Sequence, residues 1–165
     1  EIAAEFGGGD FKWTANTEER NRLWQARHDV AYACKAMRPK GEIWATDVCV
    51  PISRLADCIT ETQADIKDTG LLAPIAGHVG DGNFHLCLII DPDNPDERDR
   101  AEALHERMVM RALSMGGTCT GEHGIGYGKL DFLVAEHGEA VSVMRSIKQA
   151  LDPDNIMNPG KILRI

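Results

Sequence analysis

The sequence predicts an α+β domain of the ferredoxin-like type, in which an antiparallel sheet carries helices on one face. Two observations predict this fold. Between residues 42 and 122 the apolar patterns give the order strand, helix, strand, turn, strand, helix, strand, which is a split βαβ arrangement. Further helical patterns precede and follow this unit, so flanking helices are expected at both ends of the domain.

The first half of the chain is predicted to contain two helices and one strand. Asn16 is a residue type that caps helices, and the helical pattern after it ends at Pro39. Residues 42–50 have strand composition with partial alternation. The second helix begins at Ile52 and ends at Gly70, a residue type that favours helix ends.

The second half of the chain is predicted to contain three strands and two helices. They are expected at residues 72–79 (strand), 84–91 (strand), 94–116 (helix), 118–122 (strand) and 139–151 (helix). The Gly80-Asp81-Gly82-Asn83 segment is typical of a turn between the first two of these strands. Asn94 followed by Pro95 is a typical helix start.

Composition excludes several classes of protein. A chain of 165 residues with 43% hydrophobic residues is typical of one globular domain, and a net charge of −8 disfavours a nucleic-acid partner. No apolar run is long enough to cross a bilayer, and residues 1–10 lack the features of a signal peptide. Five scattered cysteines predict reduced thiols. We therefore expect a cytoplasmic protein, with peripheral attachment at the inner membrane as a further option.

Two histidines flank the predicted turn. If residues 80–83 form that turn, His78 faces His85, and directly opposed residues have Cβ atoms about 4.5–5.5 Å apart. Both imidazoles could then bind one metal ion, and Glu122 at the end of the last predicted strand supplies a carboxylate. The alternative is that these histidines are turn or core residues that only make hydrogen bonds.

Three further side chains are candidates for binding or catalysis. His123 follows the proposed ligand, and a neutral imidazole there could accept the proton of a substrate hydroxyl; the alternative is a surface histidine. Arg27 lies among apolar positions of the first helix, where a guanidinium needs an anionic partner. That partner is either a substrate carboxylate or an internal acidic residue, unless the side chain reaches solvent. Arg38 is a second candidate with the same alternatives.

Five segments carry a resemblance over nearly the whole chain: RLWQARHDVAYA, ATDVCVPISRL, GHVGDGNFH, GGTCTGEHGIGYGK and IKQALDPDNIMNPGKIL. In this order they resemble the C-terminal domain of FAD-linked oxidases of the vanillyl-alcohol-oxidase type. Within that family the segments are most similar to cytochrome-linked D-lactate dehydrogenases. Glycolate oxidase and D-2-hydroxyglutarate dehydrogenase are further relatives.

The resemblance implies an activity and a cofactor. A separate N-terminal domain would bind FAD, while this chain would cap the flavin and hold a small 2-hydroxyacid. The acid would be oxidised to a 2-oxoacid with hydride transfer to FAD, and a cytochrome or quinone would accept the electrons. The resemblance also implies that His78, His85 and Glu122 bind a zinc, manganese or iron ion, with His123 as the base.

The resemblance assigns roles to four further residues. Arg27 and Asn83 would orient the substrate acid, and Asn158 and Lys161 would lie near the flavin. The dicarboxylate-oxidising relatives have a basic residue where this sequence has Ala45 and Thr46, which favours a monocarboxylate.

Two other functions fit the same residues. The first is a stand-alone ferredoxin-like module that binds a small acid or a metal without redox chemistry. The second is a metal-dependent hydrolase that uses the same three ligands and His123 as its base. A flavin domain upstream in the gene would favour the dehydrogenase over both.

Overall fold

The computed structural model describes residues 2–9 and 13–165. Glu1 and Asp10, both in the segment predicted to lack a signal peptide, lie outside the described residues. The helices are α1 (Ile2–Glu5), α2 (Thr17–His28), α3 (Val30–Met37), α4 (Ile52–Thr69), α5 (Pro95–Ser114), α6 (Leu130–His137) and α7 (Ala140–Leu151). The strands are β1 (Glu42–Ala45), β2 (Val48–Cys49), β3 (Ile75–His78) and β4 (Asn83–Ile90).

The central strand of the sheet is β4, because both of its edges are paired. β1 and β2 pair with one edge in a single antiparallel register, and β3 pairs with the other edge. One bridge joins Cys49 to Thr118 on the outer side of β2. This is the strand order of a split βαβ unit. The predicted α+β, ferredoxin-like fold is confirmed.

The main core lies between the sheet and the helices α4 and α5. Alternate residues of β4 face this core and are buried: Phe84, Leu86, Leu88 and Ile90. The residues between them, among them His85 and Cys87, face the opposite side of the sheet. The buried Cys34 of α3 lies against Cys87 on that side. The candidate site therefore lies on the face opposite the main core.

The register of the β3–β4 hairpin differs from the predicted one. His78 pairs with Asn83 instead of His85, a shift of two residues. The reason is that Val79–Asp81 forms a turn of 3-10 helix, which Gly82 ends with a left-handed φ of 75°. A shift of two residues, unlike a shift of one, leaves both histidines on the same face of the sheet.

The predicted strand at residues 118–122 is wrong beyond its first residue. Thr118 makes a single bridge, and the chain then leaves the sheet. The reason is that the backbone N–H groups of residues 121–123 donate to the side chain of Asp47 instead of to a neighbouring strand.

The helices agree with prediction at their starts and differ elsewhere. Asn16 caps α2 by accepting two backbone N–H groups, and Asn94 caps α5. The predicted first helix is divided at Asp29 into α2, which buries none of its side chains, and α3. The short helix α6 was not predicted, because no side chain caps its start at Lys129.

The helix α5 carries a histidine inside the protein. His105 is 6% exposed and lies edge-on between the rings of Trp44 and Phe132, each with its centroid 5.3 Å away. Burial, helped by the positive charge of Lys129, lowers the pKa of His105 from 6.5 to about 4. His105 is therefore neutral in the folded protein at pH values where the unfolded chain binds a proton.

We predict that the free energy of unfolding rises as the pH increases from about 4 to about 6.5. In this window the unfolded chain binds more protons at His105 than the folded chain, and the pKa difference corresponds to about 3 kcal/mol at most. His105→Phe fills similar space without titrating, so this variant should show a flatter profile. Urea unfolding of both proteins across the window measures the slopes, and equal slopes would contradict the assignment.

Candidate metal and substrate site

The three predicted metal ligands lie together. His78 ends β3, His85 lies near the start of β4, and Glu122 lies in the loop after Thr118. One ligand atom from each residue lies within 4.8 Å of the other two. The Nε2 atoms of His85 and His78 are 2.9 and 3.7 Å from Oε1 of Glu122. The structure thus brings the predicted ligand set together in spite of the different hairpin register.

The ring of His85 is oriented from behind by the backbone. Its Nδ1 donates a hydrogen bond to the carbonyl oxygen of Thr46 at 2.9 Å. That carbonyl is available because the N–H of Leu86 donates to the Thr46 hydroxyl, at 2.8 Å. A hydrogen bond from Nδ1 turns Nε2 toward Glu122, and Nε2 is then the nitrogen through which this histidine could bind a metal ion.

The donor set fits a divalent metal ion. Two imidazoles and one carboxylate from three separate segments converge, and this composition leaves coordination positions open for water or substrate. The orientation of the His85 ring by Thr46 is the usual arrangement behind a metal-binding histidine. Zinc, manganese and iron all accept such ligands.

A cavity of about 430 Å³ extends from these ligands toward α2 and α3. Its lining combines the ligand cluster with His123, Arg27 and small apolar side chains such as Ala45 and Ala76. A larger cavity of about 680 Å³ lies beside His105 and is lined by several carboxylates of α5. Because those carboxylates repel an anionic substrate, the smaller cavity is the better candidate for binding an acid.

Arg27 projects from α2 into the wall of the smaller cavity. Its guanidinium lies 3.2 Å from Nε2 of His78, and its Cζ atom is 5.5 Å from the ring centroid of Trp24. In the part of the chain that the structure describes, no carboxylate lies within ion-pair distance of Arg27. The position of Arg27 therefore matches a clamp for a substrate carboxylate better than an internal salt bridge.

His123 faces the same cavity as the ligand cluster. Its ring stacks on that of His85 with centroids 4.9 Å apart, and its Nε2 lies 3.8 Å from Oε1 of Glu122. Nearly half of the His123 side chain is exposed, so a substrate in the cavity can reach this imidazole.

Comparison with known proteins gives the family of the chain. Residues 1–162 match the family described as FAD linked oxidases, C-terminal domain. The chain belongs to this family of oxidases. Its relatives include a probable mitochondrial D-lactate dehydrogenase of Danio rerio, 53% identical over 100% of the chain and 33% of the relative. The mitochondrial D-lactate dehydrogenase [cytochrome] of Arabidopsis thaliana is 46% identical over 99% of the chain and 29% of its own length.

A more distant relative has a different named activity. The glycolate oxidase subunit GlcD of Bacillus subtilis is 34% identical over 90% of the chain and 32% of its own length. The chain thus spans about a third of the length of these three relatives.

The expected cytoplasmic location is wrong, because the names of the Danio rerio and Arabidopsis thaliana dehydrogenases both specify mitochondria. The five cysteines are free thiols, as predicted. Free thiols do not distinguish one compartment from another, so they gave no basis for the cytoplasmic choice. Within residues 2–9 and 13–165, no helix combines the length and the apolar character needed to cross a membrane.

Two predicted substrate contacts lie outside the cavity of this oxidase domain. Arg38 pairs with Glu97 at 2.7 Å and with Asp91 at 3.3 Å, beyond the far end of β4. Arg38 therefore matches the alternative of an internal salt bridge. Asn83 is buried, and its Nδ2 donates to Oδ1 of Asp47 at 2.7 Å, while its own Oδ1 has no hydrogen-bond partner.

The two predicted flavin contacts lie in the C-terminal tail. Lys161 donates to Oδ1 of Asn158 at 3.1 Å and lies over the ring of Tyr127. The hydroxyl of Tyr127 donates to the carbonyl of Pro159, so the tail packs against the loop that follows His123. Neither Asn158 nor Lys161 lines the smaller cavity.

Sequence reasoning missed two buried charges beneath the site. Burial alone would raise the pKa of Asp47, but hydrogen bonds from His123 N–H, the Thr120 hydroxyl and other donors outweigh it and hold this pKa far below its usual range. The Lys129 ammonium donates to the carbonyls of Asp47 and Cys119, and burial lowers its pKa. The sequence did contain a signal for Asp47. This carboxylate lies within the strand predicted at residues 42–50, where an unpaired charge is unfavourable.

We predict that His85→Ala lowers the affinity for Mn²⁺ or Zn²⁺ by at least about a hundredfold, because it removes the ligand with the most rigid support. His137→Ala is the matched control, since His137 is an exposed histidine of α6 outside the ligand cluster. Elemental analysis after metal loading and desalting measures the effect. Equal metal content in wild type and His85→Ala would contradict the site, and far-UV circular dichroism checks that the variant stays folded.

Proposed function

We propose that this chain is the substrate- and metal-binding part of an FAD-dependent D-2-hydroxyacid dehydrogenase that acts on D-lactate or a similarly short acid. The observation that carries the proposal is a single cavity that holds a guanidinium, a free imidazole and a metal-type donor set. The family favours this activity over the stand-alone module and the hydrolase, since its description names FAD-linked oxidases. The named relatives act on D-lactate or glycolate, which are both short 2-hydroxyacids.

We assign flavin binding to a separate N-terminal domain. The chain spans about a third of its relatives, so most of their length lies outside the match. When bound, FAD would supply the hydride acceptor for oxidation of the substrate at C2. In this proposal the chain contributes the groups that bind the acid and handle its hydroxyl proton.

The residues of the cavity have different roles in binding and oxidising the substrate. Arg27 binds the carboxylate through charge-assisted hydrogen bonds. His123 accepts the hydroxyl proton at its imidazole, which must be neutral to do so. A divalent ion held by His78, His85 and Glu122 would supply positive charge that makes the hydroxyl more acidic.

The lining of the cavity favours a small monocarboxylate. Ala45 and Ala76 leave space for a methyl group and offer no charge. No lysine or second arginine lines the cavity in the described segments, and Arg38 is already paired with Glu97. A second substrate carboxylate would therefore lack a partner.

The relatives also support an electron acceptor and a location. The Arabidopsis thaliana relative carries the word cytochrome in its name, and two relatives are named as mitochondrial. We accordingly assign this chain to a mitochondrial enzyme that passes electrons to a cytochrome.

We predict that the flavin-loaded polypeptide containing this chain oxidises D-lactate and rejects L-lactate. D-2-hydroxyglutarate should turn over more slowly than D-lactate, because its second carboxylate lacks a cationic partner in the cavity. Reduction of a dye or of cytochrome c under steady-state conditions gives kcat/KM for each acid. Faster turnover of D-2-hydroxyglutarate would contradict the substrate choice.

We also predict that His123 and Arg27 affect different kinetic constants. His123→Gln should lower kcat by about 10²–10⁴-fold with little change in KM, because it removes proton transfer. Arg27→Ala should raise KM for D-lactate by at least about tenfold, because it removes a charged hydrogen bond, and Arg27→Lys should restore part of the loss. Asp65→Asn, outside the cavity, serves as the control. An unchanged kcat in His123→Gln would exclude the base.

A further inference from the structure

Asp47 is a carboxylate with no exposed surface, in the break between β1 and β2. Burial of an ionised carboxylate is unfavourable unless hydrogen bonds and nearby charges replace its lost water. The contacts of Asp47 therefore show which parts of the protein depend on its charge.

One oxygen of Asp47 binds the loop that carries Glu122 and His123. Its Oδ2 accepts the Thr120 hydroxyl at 2.7 Å and the N–H groups of residues 121–123 at 2.8, 3.0 and 2.9 Å. Consecutive N–H groups that converge on one anion form a nest. Within the described segments no backbone carbonyl accepts these N–H groups, so the orientation of this loop depends on Asp47.

The other oxygen of Asp47 faces the strand that carries His85. Its Oδ1 accepts Nδ2 of Asn83 at 2.7 Å and lies 3.7 Å from Nδ1 of His85. The Lys129 ammonium lies 3.6 Å from Oδ2 and balances the charge. Asp47 is thus the connection between the ligand on β4 and the ligand in the loop.

The close approach of this loop requires a glycine. A Cβ atom added at Gly121 would lie 2.2 Å from Nδ2 of Asn83 and 3.1 Å from Oδ1 of Asp47. The backbone therefore passes directly over the carboxylate, and a side chain at this position would push Glu122 away from the two histidines.

We propose that Asp47 is the positioning residue of the site, which holds Glu122 and His123 in place relative to His85 before metal or substrate binds. Asp47 does not line the cavity, so it acts through these residues and not on the substrate itself. The inference rests on the proposed function, because it assigns a role within the same site.

Asp47→Asn tests the proposal, because it keeps the shape of the side chain and replaces one acceptor oxygen by an amide NH2 group. That group is a hydrogen-bond donor, and it would face the four donors of the loop at residues 120–123. We expect the affinity for Mn²⁺, measured by electron paramagnetic resonance titration, to fall by about 10–100-fold, as for other residues that orient metal ligands. The matched control is Asp65→Asn, a carboxylate that pairs with Arg107 and Arg111 away from the site. This control should bind Mn²⁺ as wild type does.

A second readout does not require metal. The amide proton signals of residues 121–123 should move upfield in Asp47→Asn, because their hydrogen bonds to a charged oxygen are lost, and should not move in Asp65→Asn. If Asp47→Asn does not fold, Thr120→Val removes only the hydroxyl donor and should weaken Mn²⁺ binding by about two- to tenfold. Unchanged affinity in that variant would overturn the proposal.

The outcomes separate this inference from the proposed function. Wild-type affinity in Asp47→Asn, or an equal loss in Asp65→Asn, would overturn the positioning role and leave the metal site intact. If the wild-type protein binds no Mn²⁺, the proposed metal site fails, and the amide signals decide the inference. A shift confined to Asp47→Asn then supports the positioning role, and no shift overturns it.

Discussion

The buried carboxylate of Asp47 is the interaction on which the site side of this protein depends. Its charge is stable without water because the loop at residues 120–123 donates four hydrogen bonds to it, with Asn83 and Lys129 as further partners. That loop, in turn, lacks the strand pairing that would otherwise satisfy its N–H groups. The carboxylate and the loop therefore stabilise each other, and neither is expected to keep its conformation alone.

The sequence predicted the features that depend on neighbouring residues. Asn16 and Asn94 cap helices through bonds that span two or three positions, and the order of the elements follows from local periodicity. The sequence also predicted that the side chains of His78 and His85 lie together in one site. Side chains alternate between the faces of a strand, so both histidines stay on one face even when the register shifts by two.

The features that sequence reasoning missed depend on contacts between distant segments. The strand predicted at residues 118–122 has the right composition, but its N–H groups bind Asp47, more than seventy positions earlier in the chain. The partner of Arg38 is Glu97, 59 positions away, and local pattern cannot distinguish that salt bridge from a substrate clamp. Local pattern does not reveal which polar groups meet in the folded chain.

The alternation of β4 also explains how a small domain can hold an exposed site in a fixed geometry. Phe84 and Leu86 are locked in the main core, and His85 lies between them on the opposite face. The backbone that carries this ligand thus has the rigidity of the close-packed interior. Arg27 lies on α2, which buries none of its side chains. His85 therefore lies on a wall of the cavity that the main core supports, whereas Arg27 lies on a wall that has no buried side chains of its own.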